Sequence, residues 1–186
     1  MRNFGKKMAL ALGLTALGAS PLAVQAHDMP NMTKHKTPAA FEKLKGLVGK
    51  WSGKQKMGEK NAKITVSYEL TAGGSALVER LFQGTPHEMT SVYYTEGNQV
   101  CMAHYCMLGN HPIMTLKKSE GNSLTFEMKG TSGISSAKEA HMHGMTLTWV
   151  DANHIRSEWT EYVDGKKAGE CVGFNLAREK SEDSEN

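Results

Sequence analysis

Residues 63–82 read KITVSYELTAGGSALVERLF, and this stretch indicates the fold of the whole chain. Apolar and polar side chains alternate on both sides of the turn sequence TAGG at residues 71–74. Alternation with a period of two is typical of a β-strand that buries one face. A glycine-rich break between two such segments indicates a hairpin. The stretch therefore predicts two neighbouring antiparallel strands.

The same alternation continues along most of the chain, with turn sequences such as SEGN and VDGK between the extended segments. Segments with helical periodicity do not intervene, so consecutive strands are expected to pair with one another. A sheet of this length usually closes to remove its edges. We predict an all-β protein, a single antiparallel up-and-down barrel of about ten strands. The predicted strands are residues 51–57, 63–70, 75–82, 89–95, 99–108, 112–118, 123–129, 141–150, 154–163 and 170–177.

One short helix is predicted before the barrel, in the sequence TPAAFEKLKGLVGK at residues 37–50. Thr37 is a favourable N-cap, Pro38 suits the first helical position, and apolar residues recur at helical spacing from Phe41 onward. We expect the helix to end near Gly49.

Residues 1–26 have the order of a secretory signal peptide: a basic start, an apolar run of about a dozen residues and small residues before Ala26. The run is shorter than the roughly 20 residues that span a bilayer. We therefore expect cleavage after Ala26, no stable membrane anchor afterwards, and a periplasmic or secreted protein. We further expect a flexible arm at residues 27–36, the barrel domain at 37–178 and a disordered tail at 179–186.

Charge argues against a nucleic-acid partner. The chain has 22 basic and 19 acidic residues, and cleavage would remove three basic residues and no acidic ones, leaving 19 of each. A nearly neutral mature chain lacks the basic surface that nucleic acids or anionic membranes require.

The three cysteines are Cys101, Cys106 and Cys171. Cys101 and Cys106 would lie roughly 16 Å apart on one extended strand, too far for a disulfide. Cys171 can bridge to either one, and in an oxidising compartment we expect a disulfide between Cys101 and Cys171.

The helix followed by Gly49-Lys50-Trp51 resembles the Gly-x-Trp opening of lipocalins and other calycins. The runs GGSALVERLFQGTPHEMTSVYY, HYCMLGNHPIM, HMHGMTLTWVD and EWTEYVDGK are similar to a bacterial lipocalin-like (calycin) family of unestablished function, over roughly residues 40–178. The resemblance implies that Trp51 plugs the barrel floor and that Arg178 stacks on it. It implies neither a substrate nor a catalytic residue.

Two stretches carry the candidate site: CMAHYC at residues 101–106 and HMHGM at residues 141–145. Alternate residues of a strand share a face. In each stretch we assign the histidine-bearing face to the barrel interior, because the residues that share it are mainly apolar. The predicted ligand-binding residues are Met102, His104, Cys106, His141, His143 and Met145.

Two functions follow from this prediction, and a third is less favoured. The first is the binding of a small apolar molecule, with the histidines as its few polar contacts. The second is a metal site for zinc or copper, or haem ligation by one histidine. Its candidate ligands are His104, Cys106, His141 and His143.

The third is a cofactor-free enzyme, which is disfavoured because the chain has no GxSxG, HExxH or glycine-rich phosphate motif. The long break at residues 130–140 is a candidate lid over one mouth of the barrel. The oligomeric state is left open.

Overall fold

The structure is a computed structural model that describes residues 36–57 and 60–180. The predicted signal peptide at residues 1–26 lies outside the described residues. So do residues 27–35 of the predicted arm and residues 181–186 of the predicted tail.

Ten antiparallel strands close into a barrel, and one short helix precedes them, so the predicted fold class is confirmed. A single 3₁₀ turn, Ala72–Gly74, lies between the second and third strands. The elements are α1 (Ala39–Lys45), β1 (Gly49–Met57), β2 (Lys60–Thr71), β3 (Ala76–Leu81), β4 (Met89–Glu96), β5 (Gln99–Tyr105), β6 (Ile113–Glu120), β7 (Ser123–Met128), β8 (His141–Trp149), β9 (His154–Val163), β10 (Lys166–Lys167) and β11 (Val172–Arg178).

Each strand from β1 to β9 pairs with the next strand in the chain. The two-residue β10 pairs with the end of β9 and does not form part of the barrel wall. The ring is completed by β11, which pairs with β9 on one side and with β1 on the other. Among the described residues, no helix is long and apolar enough to cross a bilayer.

The closed end of the barrel is built around Trp51, which is 1% exposed. Its Nε1–H donates a hydrogen bond to the Leu47 carbonyl at 2.7 Å. The Arg178 guanidinium lies 4.2 Å from the centre of the Trp51 ring. It also donates hydrogen bonds of 2.7 Å to the carbonyls of Val48 and Gly46. The stacking of Arg178 on Trp51 is confirmed, and it joins the last strand to the chain just after the helix.

Gly49 shows why a glycine precedes this tryptophan. Its φ of 125° is in the region that side chains disfavour, and a Cβ there would lie 3.2 Å from Arg178 Nη1. A larger residue would strain the backbone and crowd the guanidinium that covers Trp51.

The strand predicted at residues 99–108 ends at Tyr105, because a turn follows it. The Cys106 N–H donates to the Asn110 carbonyl, and the Gly109 N–H donates to the Cys106 carbonyl. Cys106 therefore lies at the start of a turn, just beyond the end of β5.

The predicted disulfide between Cys101 and Cys171 is wrong: all three cysteines are free thiols in the structure. Cys101 is buried in β5, whereas Cys171 is exposed just before β11. These two strands lie on different parts of the barrel wall, separated by β1 to β4.

Candidate functional site

A cavity of about 280 Å³ lies inside the barrel, at the end opposite Trp51. Val172, which begins β11, lines this cavity, while Arg178 at the other end of the same strand covers Trp51. Besides Trp159, whose indole carries one polar N–H group, three lining residues carry a polar or ionisable group: His104, Cys106 and Glu161. The others are Leu81, Phe82, Met89, Met107, Leu108, Met142, Trp159, Val172 and Phe174.

The interior face predicted for β5 is confirmed. His104 and Cys106 both line the cavity. Met102 also faces inward, but it is 0% exposed and packs in the hydrophobic core away from the cavity lining.

The face predicted for β8 is wrong for its two histidines, because the strand contains a β-bulge. Met142 pairs with Glu161, and Gly144 pairs with Thr160. His143 is therefore an extra residue without a pairing partner on β9. Met142 and Glu161 both line the cavity, which places His141 and His143 on the outer face.

Met145 follows the bulge and faces the interior as predicted. It is 2% exposed and packs in the hydrophobic core, without lining the cavity. One inserted residue therefore shifts the alternation, so that the strand is correctly assigned on one side of the bulge and not on the other.

On the outer face the two histidines form a cluster with Tyr162. The His143 ring stacks on Tyr162 with centroids 3.8 Å apart, and His143 Nδ1 lies 3.1 Å from His141 Nε2. His141 Nδ1 lies 2.6 Å from the Glu139 carbonyl oxygen. Burial, and secondarily the neighbouring His141, lower the pKa of His143. These contacts occupy both ring nitrogens of His141.

The four predicted metal ligands are therefore not brought together: His104 and Cys106 lie inside the barrel, and His141 and His143 lie outside it. Within residues 36–57 and 60–180, no group of three or more histidine, cysteine, aspartate or glutamate side chains is placed to hold a metal ion. Haem ligation by a single histidine stays a prediction.

His104 is the most deeply buried polar group of the cavity, at 1% exposed. Its Nδ1 lies 3.0 Å from the Ser91 hydroxyl, and its ring packs against Trp159 with centroids 4.4 Å apart. Burial lowers the pKa of His104 to about 4. The imidazole is therefore neutral at physiological pH.

Trp159 carries an unpaired polar atom next to this histidine. The indole is 3% exposed, and its Nε1–H has no hydrogen-bond partner among the described residues.

His104 ends a row of polar side chains that runs across four strands. Tyr68 of β2 pairs with Glu79 of β3, Glu79 pairs with Ser91 of β4, and Ser91 pairs with His104 of β5. All four side chains are at most 3% exposed. We call these four residues the polar row.

Glu79 is the acidic member of the polar row, and both of its carboxyl oxygens accept hydrogen bonds. Tyr68 Oη donates to one carboxyl oxygen at 2.7 Å, and Tyr93 Oη donates to the other at 3.0 Å. Burial raises the pKa of Glu79, while hydrogen bonds from Tyr68, Ser91 and Tyr93 oppose that shift. Burial and the nearby Glu79 carboxyl also raise the pKa of both tyrosines, which stay protonated donors.

The predicted site residues did not include Glu79, Ser91, Tyr68 or Tyr93. One signal was available: in SALVERLF, Glu79 alternates with Leu77 and Leu81, which places a carboxylate on an apolar face. A charge on the buried face of a strand needs partners, so this position predicts a buried polar network.

Cys106 does not have the environment of a nucleophile. Its thiol lies 4.0 Å from the Met89 sulfur, and burial raises its pKa. A reactive cysteine needs the opposite shift, toward the thiolate.

The segment at residues 130–140 contributes no side chain to the cavity lining. Its backbone instead accepts hydrogen bonds from His111 and Ile113, through the carbonyls of Gly133 and Ser132. Asn110, before β6, donates to the Glu139 carboxylate at 2.7 Å. The segment packs beside the start of β6 and is not the cavity lid that the sequence suggested.

Comparison with known proteins leaves the function open. No family model matches the chain, and no curated protein matches it. Among solved structures, the chain is similar to a protein of unknown function of the DUF3598 family from Nostoc punctiforme PCC 73102, with 14% identity and a TM-score of 0.37. The likeness covers 73% of this chain and 48% of that protein, and it carries no functional conclusion. Membership of the lipocalin-like family stays a prediction.

Proposed function

We propose that this protein binds one small, largely apolar molecule in the cavity at the open end of its barrel. The observation that carries the proposal is the lining itself: nine largely apolar residues surround a buried neutral histidine, a thiol and one carboxylate. Ligand pockets characteristically combine apolar walls with a few placed polar groups.

The size of the cavity restricts the ligand. At about 280 Å³ it lies just below the range of about 300–1,000 Å³ typical of ligand pockets. A compact molecule of one or two fused rings suits this space better than an extended lipid.

Access to the cavity is available from solvent. Met107 is 57% exposed and Leu108 is 44% exposed, although both line the cavity. Exposed apolar side chains at the rim of an apolar cavity are typical of a ligand entrance.

The proposal includes export, which is supported by the signal-peptide pattern of residues 1–26. The test therefore starts from protein isolated from the extracytoplasmic fraction of its host. Native mass spectrometry of that protein is expected to show a bound small molecule.

A matched pair of variants locates the binding site. Cys106→Trp places a large ring in the cavity, whereas Tyr105→Trp adds the same ring at a neighbouring position that is 52% exposed and outside the lining. With indene as the apolar probe, Cys106→Trp is expected to weaken binding by about tenfold or more, and Tyr105→Trp to leave it unchanged. Equal effects of the two variants would place the binding site elsewhere, and failure of the wild-type protein to bind the probe or any co-purified molecule would refute the proposal.

A further inference from the structure

We propose that His104 presents an unprotonated Nε2 to the cavity, so that the site selects a neutral ligand with one hydrogen-bond donor, a hydroxyl or N–H group, on an otherwise apolar body. This inference rests on the proposed function and adds the polarity of the ligand to it. The hydrogen atoms available along the polar row, starting at Glu79, support it.

Two tyrosine hydroxyls meet the two oxygens of Glu79, at 2.7 Å from Tyr68 and 3.0 Å from Tyr93. Each hydroxyl has one hydrogen to donate, and neither tyrosine hydroxyl has another acceptor among the described residues. Both carboxyl oxygens therefore act as acceptors, which is the behaviour of a carboxylate. These donors offset part of the cost of burying the charge.

Ser91 lies between this carboxylate and the histidine, paired across the sheet with both Glu79 and His104. Its hydroxyl also has a single hydrogen. Ser91 also hydrogen-bonds the Glu79 carboxyl group. Because a charged carboxylate is a stronger acceptor than a neutral imidazole, we assign that hydrogen to Glu79. The Ser91 oxygen, 3.0 Å from His104 Nδ1, is then left as an acceptor toward the histidine.

A neutral imidazole has one ring hydrogen, and the Ser91 oxygen holds it on Nδ1. Nε2 then carries a free lone pair. It has no hydrogen-bond partner among the described residues, although the ring is 1% exposed and lines the cavity. A ligand that fills the cavity without donating to Nε2 leaves this acceptor covered and without a partner, which is unfavourable, so a ligand that donates a hydrogen bond to Nε2 is favoured over one that does not.

The same arrangement disfavours anionic ligands. A carboxylate or phosphate would place acceptor oxygens against the Nε2 lone pair, in apolar walls that offer no cation. Glu161 on the lining adds a further negative group. The favoured class is a phenol, an alcohol or an indole-like heterocycle.

The tautomer is measured directly by ¹⁵N NMR of the imidazole nitrogens in the full chain. In the wild-type protein we expect His104 to show a protonated Nδ1 and an unprotonated Nε2. Glu79→Gln is the matched variant, because the amide has nearly the same shape and supplies hydrogens instead of only accepting them. The introduced N–H₂ group donates to Ser91, whose own hydrogen then points to His104 Nδ1. Nδ1 becomes the acceptor, so the single ring hydrogen is expected on Nε2.

The ligand preference is measured with three probes of nearly equal shape: indole, which donates a hydrogen bond, benzofuran, which does not, and indene, which is a hydrocarbon. In the wild-type protein we expect indole to bind about tenfold more tightly than benzofuran. Glu79→Gln is expected to abolish that preference. Ser91→Ala serves as a second variant should Glu79→Gln fail to fold, and it is expected to reduce the preference by releasing Nδ1.

The failure of this inference is distinguishable from failure of the proposed function. If wild-type His104 carries its proton on Nε2, or if indole and benzofuran bind equally well, the inferred preference for a hydrogen-bond donor is wrong. The proposed binding of a small apolar molecule is not affected by either result. If no probe binds to the wild-type protein, and no molecule co-purifies with it, the proposed function is wrong and the ligand preference is refuted with it.

Discussion

Apolar side chains fill one end of this barrel, whereas at the other end they surround a cavity. At the closed end, Trp51 is 1% exposed. Arg178 stacks on its ring and donates a hydrogen bond to the backbone that follows the helix. At the open end, Met107 and Leu108 are about half exposed at the entrance of a cavity of about 280 Å³. The difference shows that apolar walls do not by themselves make a cavity. What matters is whether a large side chain is fixed in the space between them.

The first prediction tests whether the closed end is structural. Trp51→Ala removes the ring that fills this end and on which Arg178 stacks. We expect it to reduce the free energy of unfolding by about 3–5 kcal/mol, because the surrounding barrel cannot collapse into the space. Urea denaturation followed by circular dichroism measures the change.

The control for that prediction is at the other end of the molecule. Met107→Ala truncates an apolar side chain that is 57% exposed, and its effect on unfolding is expected to stay within about 0.5 kcal/mol. Similar losses in the two variants would mean that the open end is packed as firmly as the closed end, and the comparison would fail.

The second prediction concerns pH and the buried histidine of the open end. The pKa of His104 is about 4 in the folded protein and about 6.5 in the unfolded chain. Between these values the unfolded chain binds a proton that the folded protein does not, so stability is complete above pH 6.5 and falls as the pH drops toward 4. The loss attributable to His104 amounts to about 3 kcal/mol.

Other groups also titrate, so the histidine is isolated by difference. The lowered pKa of His143 acts in the same direction, and the raised pKa of Glu79 acts in the opposite one. Denaturation midpoints of the wild-type protein and His104→Gln are compared from pH 7 to pH 4, and the variant is expected to lose less stability. Parallel curves would show that His104 takes up its proton as readily in the folded barrel as in the unfolded chain.

The third and smallest effect is expected on the outer face. His143→Ala removes a half-buried ring that stacks on Tyr162 outside the barrel wall. We expect a stability loss below about 1 kcal/mol and indene affinity within about twofold of wild type. Denaturation and probe titration measure both quantities, and a large drop in affinity would show that the outer histidines communicate with the cavity.

Much of the fold was predictable because its signals are local. Alternation marked all ten strands of the barrel, and the Gly49-x-Trp51 sequence with Arg178 indicated the closed end correctly. The inward direction of His104 also followed from alternation along a regular strand, and Cys106, just beyond the end of that strand, lines the same cavity. Gly144 is a glycine inside a strand, a position that often marks a β-bulge. It could have predicted the bulge that turns His141 and His143 outward.

The sequence by itself determined the order of the strands, the closure of the barrel and the residue types that face its interior, since these depend on periodicity and turns within short segments. Only the tertiary structure decided which polar side chains meet. Glu79, Ser91 and His104 are far apart in the chain and become neighbours through the pairing of β3, β4 and β5. The insertion of one residue at His143 likewise redirected two imidazoles through its register with β9. Register between strands is set by packing and hydrogen bonding across the whole sheet, and no single segment contains that information.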